Sequence, residues 1–130
     1  MIAVDTTVLV RVLTNDDPEQ AKRAMKRMRA DIVWIPTTVL LETEWVLRHA
    51  YGLPAGAIGQ AFATLLGIPN VEVQSRSAVL RAHAWHQGGM DFADALHLAL
   101  SDEVSTFVSF DRSLAKTAKR AGIKPNVTEP

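Results

Sequence analysis

Carboxylates stand where this sequence passes from one apolar run to the next, and they are the side chains with which it could do chemistry. Asp5 ends the run Ile2-Ala3-Val4 and is followed by Thr6, Thr7 and a second apolar run. Asp111 repeats that arrangement after Thr106-Phe107-Val108-Ser109. Asp91 and Asp94 open the stretch Met90-Asp91-Phe92-Ala93-Asp94-Ala95-Leu96. Each has a structural role open to it, because an Asp just before a helix accepts hydrogen bonds from free N–H groups of the first turn, and Asp91 with Asp94 has the spacing of a capping pair. Glu42 lies in a helical pattern with Val39 three residues before it and Trp45 and Val46 three and four after. That phase puts it on an apolar stripe, where a carboxylate needs a partner, a proton or a metal. Glu44, with Arg48 four residues on, reads instead as half of an exposed helical ion pair.

The elements that must position these acids alternate in kind. Short apolar runs near Ile2–Val4, Asp31–Ile35, Val71–Val73, Thr106–Ser109 and Ile123–Val127 read as strands. Helices are expected through Val8–Leu13, over Glu19–Arg29 with Asp17 as cap and Pro18 at the first position, and through Leu40–Arg48 with Thr37 or Thr38 as cap. Further helices are expected over Ala55–Leu66, from Ser75 or Ser77 to His86, from Asp91 to Leu100 and over Ser113–Arg120. The alternation predicts an α/β fold: a three-layer α/β/α domain over residues 1–130 with a central, mostly parallel sheet of four to five strands. In such sheets ligands bind beyond the carboxyl ends of the strands, which is where Asp5 and Asp111 stand. Asp94 and Glu42 sit early in helices of the same alternation, so all four acids are expected at one edge.

Carboxylates brought close together repel and must be neutralised by protons or cations. The chain has no Cys, and His83 and His86, three apart, lack a third ligand nearby. An all-oxygen donor set matches a hard ion, Mg²⁺ or Mn²⁺, and such ions support phosphodiester hydrolysis. Residues alone therefore suggest a metal-dependent phosphodiesterase. Lys+Arg and Asp+Glu are 14 each, so a polyanion would be held by local charge or by metal rather than by a global basic field. The basic face of the Glu19–Arg29 helix is expected to be solvated, with a lesser reading in which part of it tracks RNA phosphates. Without cysteine, a charged leader or an apolar run of about 20 residues, the expectation is a soluble cytoplasmic protein with no membrane association.

The sequence also resembles the PIN domain family, and within it the VapC-type toxins of toxin–antitoxin pairs. The resemblance spans nearly the whole chain. It rests on Val4-Asp5-Thr6, on Leu40-Leu41-Glu42 followed by Glu44-Trp45-Val46-Leu47, on Asp91-Phe92-Ala93-Asp94-Ala95-Leu96 and on Ser109-Phe110-Asp111-Arg112. It implies that Asp5, Glu42, Asp94 and Asp111 are the catalytic acids that hold Mg²⁺ or Mn²⁺, with Ser109 and Asp91 in support, and that the substrate is RNA. The family usually has Asn two residues after the first Asp, where this chain has Thr7, whose hydroxyl lacks the second polar group of an amide. The resemblance further implies a small cognate antitoxin and a homodimer. Arg11, Arg48, Arg112 and Lys116 are candidates to hold RNA phosphates.

Rivals of similar size fail on named residues. A phosphorylation receiver domain needs paired acids after its first strand and an Asp after its third, where this chain offers Asp5 alone and then Gln74-Ser75. A haloacid-dehalogenase-type phosphatase needs Asp where Thr7 stands. The remaining alternative is a non-catalytic module of the same fold that binds RNA or protein.

Overall fold

The computed structural model describes residues Met1–Pro130. The architecture is α/β, with helices alternating with short strands whose pairings are all parallel. The chain divides into two compact units, Met1–Arg76 and Ser77–Pro130.

The first unit is built on a sheet of three strands in the order β1 (Ile2–Ala3), β2 (Val33–Ile35) and β3 (Val71–Val73). Val33 lies opposite Val71 and Ile35 opposite Val73, and all four are buried. The strands do not read as continuous buried runs, because Glu72 is exposed and Trp34 half-buried. Parallel strands need crossovers, which are supplied by α1 (Thr6–Thr14) and α2 (Pro18–Arg29) between β1 and β2, and by α3 (Thr37–His49) and α4 (Ala55–Leu66) between β2 and β3. Asp17 caps α2, accepting from Gln20 N–H, with Pro18 at the first helical position. Neither Thr37 nor Thr38 caps α3. The N-cap is Pro36, which has no hydroxyl to offer, and Thr37 N–H is bonded instead by Gln74 Oε1 at 3.1 Å. Leu9, Leu40, Leu47, Ile58, Phe62 and Leu65 are almost wholly buried, and burial of each such side chain is worth about 1.5–3 kcal/mol.

The second unit carries α5 (Arg76–Gln87, whose first residue belongs to the first unit), α6 (Phe92–Ala99), α7 (Arg112–Arg120) and a two-stranded parallel sheet of β4 (Thr106–Val108) and β5 (Asn126–Thr128). Ser75 takes a left-handed backbone, φ 52°, just before α5. The apolar run at β4 does form a strand, yet only Phe107 is half-buried and its neighbours are exposed. Phe92, Ala95, Leu96 and Leu98 bury the inner face of α6, and Leu114 and Ala118 that of α7. No helix is long and apolar enough to cross a membrane.

Candidate functional site

In the first unit the acid Asp5 follows β1 and is the N-cap of α1, as its place after an apolar run implies. Its Oδ1 accepts from Val8 N–H at 3.2 Å and from the Thr7 hydroxyl at 2.6 Å. The Thr7 hydroxyl, then Val8 N–H, hold the Asp5 carboxyl below the usual carboxylate range, so it stands ready as an anion. Thr7 thus supports the first acid by direct donation, with a hydroxyl in place of an amide. The adjacent Thr6, buried where Thr7 is exposed, donates its hydroxyl to Glu42 Oε1 across 36 positions of sequence. Successive hydroxyls on the first turn of α1 therefore hold Asp5 and Glu42. Thr6 escaped the sequence reading. Its only signal was a second hydroxyl beside Asp5, just before the apolar run Val8-Leu9-Val10.

The phase of α3 is the reverse of the one expected. Glu42 is exposed, and the buried stripe is Leu40, Thr43, Glu44 and Leu47. Glu44 is not an exposed pair member: it is 1% accessible, and both its oxygens receive the Arg48 guanidinium, at 2.9 and 3.2 Å. The polar members of the stripe are satisfied internally, since Thr43 donates to Val39 C=O at 2.7 Å. Trp45, counted as core by its hydrophobicity, is 54% accessible and leans on His49 four residues on, ring centroids 4.6 Å apart.

In the second unit Asp91 and Asp111 are N-caps. Asp91 Oδ1 accepts from Asp94 N–H at 3.1 Å, and Asp111 Oδ1 from Leu114 N–H at 3.0 Å. Ser109 supports the latter turn, its Oγ accepting from Asp111 N–H at 3.0 Å. Asp94 differs in kind. It is half-buried, and burial first, then the charges of Asp91 and Asp111, push its carboxyl above the ordinary range, partly offset by His97. Two neighbouring carboxylates of this unit therefore act on Asp94. The donor chemistry, carboxylate oxygens and hydroxyls, fits a hard divalent cation, although within neither unit do three or more such groups form a closed ligand cluster.

The candidate phosphate contacts are mostly engaged. Arg11 donates to Gln20 at 2.7 Å and reaches Asp16 and Tyr51, each at 3.3 Å. Arg48 holds Glu44, and Arg112 donates to Glu129 at 2.8 Å. Lys116 is exposed. The histidines form no ligand pair. His86 is buried edge-on against Phe92, whereas the His83 Nδ1 is buried without a hydrogen-bond partner and desolvation lowers that ring's pKa.

With this geometry in hand, comparison with known proteins adds one match: residues 2–120 fit the family described as PIN domain. No curated protein and no solved structure matches the chain.

Proposed function

The chain belongs to the PIN domain family, a nuclease-type fold, and from that premise we propose that residues 1–130 act as one metal-dependent endoribonuclease domain, the toxin of a VapC-type toxin–antitoxin pair. Asp5, Glu42, Asp94 and Asp111 are the proposed catalytic and metal-holding acids, with Thr7, Ser109 and Asp91 in support. The observation that carries the reading is Asp94, a half-buried carboxyl raised by its burial and by two neighbouring acids. Structural ion pairs lower a carboxyl's pKa. A raised one beside like charges is a group waiting for a cation or a proton.

A bound Mg²⁺ or Mn²⁺ would supply the Lewis acidity that activates water against a phosphodiester. Asp5 would contribute an oxygen already ionised by its Thr7 and Val8 bonds. Glu42, exposed and bonded by Thr6, would accept a proton or bind cation. Asp111 would offer Oδ2, since Oδ1 is committed to its helix. A small antitoxin partner and a homodimer complete the proposal on the family likeness alone, and a cytoplasmic setting on the cysteine-free composition. Cleavage of a labelled RNA by the purified chain is expected with Mg²⁺ or Mn²⁺, and is expected to fall to background in EDTA and in Asp94→Asn. Cleavage that persists in EDTA overturns the reading.

A further inference from the structure

A groove of about 670 Å³ lies along α1 and α2 of the first unit, with Thr7, Val8 and Arg11 on one helix and Arg23, Lys26 and Arg27 on the other among its lining residues. We propose that it seats the phosphate backbone of an RNA single strand leading to Asp5, an inference that rests on the ribonuclease reading above. Two of the four cations are already balanced: Arg11 by Asp16 at 3.3 Å and Arg27 by Asp31 at 3.6 Å. Arg23 and Lys26 are exposed and form no ion pair, so the groove keeps positive charge on a chain whose formal net charge is zero. Positions 23, 26 and 27 share one face of α2. At about 1.5 Å of rise per residue the unpaired Arg23 and Lys26 stand about 4.5 Å apart along it, with Arg27 about 6 Å from Arg23, a row that suits a linear polyanion better than a compact one.

The lining contains no Phe, Tyr or Trp, so it lacks the aromatic platforms on which bases stack. Its contacts are therefore with phosphates, and they carry no sequence information. An acidic peptide would meet the same charge. RNA is favoured because Thr7 lines the groove and donates at 2.6 Å to Asp5, so one lining residue is bonded directly to an acid proposed to act on a phosphodiester.

Binding of a fluorescent single-stranded RNA to the full chain, in EDTA and over about 50–200 mM salt, tests this. Each phosphate neutralised on a single strand contributes a log–log salt slope of about −0.7, so across that range the wild type should lose about sevenfold more affinity than Arg23→Ala/Lys26→Ala, which lacks two contacts. The pair Lys22→Ala/Arg29→Ala removes the same charge from the same helix outside the groove, at residues lining a neighbouring hollow that shares only Lys26 with it, and should keep the wild-type slope. Equal flattening in both pairs would show a diffuse field and overturn the proposal. So would RNA that fails to bind while a polyglutamate peptide binds the wild type and not Arg23→Ala/Lys26→Ala. Cleavage with Mn²⁺ is assayed separately: groove-dependent binding without cleavage keeps the groove and removes the nuclease reading.

Discussion

Asp5 and Asp111 each commit one oxygen to the N-terminus of the helix that follows and leave the other without a protein partner. Helix capping and cation binding are therefore compatible at one residue, and a cap motif in sequence neither supports nor excludes a ligand. Asp94 makes the distinction, since its shift carries no hydrogen-bond contribution and rises from burial and like charge. At Glu42 the distinguishing group is Thr6. Thr6→Val keeps shape and burial while removing the donor, and the outer partner of a metal-binding carboxylate is typically worth about 10–100-fold in metal affinity. Titration with Mn²⁺ should show a loss of that size with little change in melting temperature. An unchanged affinity would mean that Glu42 is not a ligand. Glu44 should behave oppositely to Glu42. Arg48→Met leaves a buried carboxylate without its guanidinium and is expected to cost about 2–3 kcal/mol in urea unfolding, whereas Glu42→Gln, at an exposed position, should cost less than about 0.5 kcal/mol and lose most nuclease activity. Comparable stability losses in the two would contradict the burial difference.

Among the elements, those with unmixed signals were legible in the sequence. The α4 span Ala55–Leu66 and the β3 span Val71–Val73 match the expected bounds, and α2 starts at Pro18 after the Asp17 cap as expected. Pro54 and Pro18 mark helix starts, and Val-Glu-Val alternates with the strand period. The helix α3 existed where expected but faced the wrong way, because hydrophobicity was read without hydrogen bonding. Leu40 and Leu47, seven apart, were the true anchors of the buried face. Thr43 and Glu44 between them looked polar enough to be outside, and Trp45 looked apolar enough to be inside. A sequence does not display that Thr43 returns its proton to Val39 C=O or that Arg48 folds back over Glu44. Nor was the joint between α2 and the sheet legible, since it depends on contacts about 40 positions apart. The Asn70 amide donates to Met28 C=O at 2.8 Å and to Asp31 C=O at 2.7 Å, tying the end of α2 and the approach to β2 to the residue preceding β3. Asn70→Ala frees both carbonyls in a partly buried place. It is expected to lower unfolding free energy by about 1–3 kcal/mol without altering RNA cleavage per folded molecule. A loss below about 0.5 kcal/mol would show that water replaces the amide at no cost.

For the whole molecule, the acids act on stability with opposite signs as pH changes. Asp5, through Thr7, and Asp16, through the Tyr51 hydroxyl, titrate below the ordinary Asp value of 3.8. Their stabilisation is present above that value and is lost as pH falls through the folded pKa. Asp94 titrates above 3.8: its folded form binds the proton more tightly than the unfolded chain does, so its contribution is fully present below 3.8 and is lost as pH rises through the folded pKa. At neutral pH without metal, Asp94 is thus a charge that the fold carries at a cost. Asp94→Asn removes the charge at nearly constant shape, so in EDTA at pH 7 the variant should melt above the wild type, and the gap should close as pH is lowered toward 4. Mn²⁺ at about a hundredfold excess over its dissociation constant should add about 2.7 kcal/mol to the wild type by mass action and little to the variant. Thermal melts of both proteins across pH, with EDTA and with Mn²⁺, measure all of this. A variant that melts below the wild type in EDTA at pH 7 would make Asp94 a residue of the first turn of α6 that the fold needs for its own sake, and the case for a cation beside it would lose its electrostatic ground.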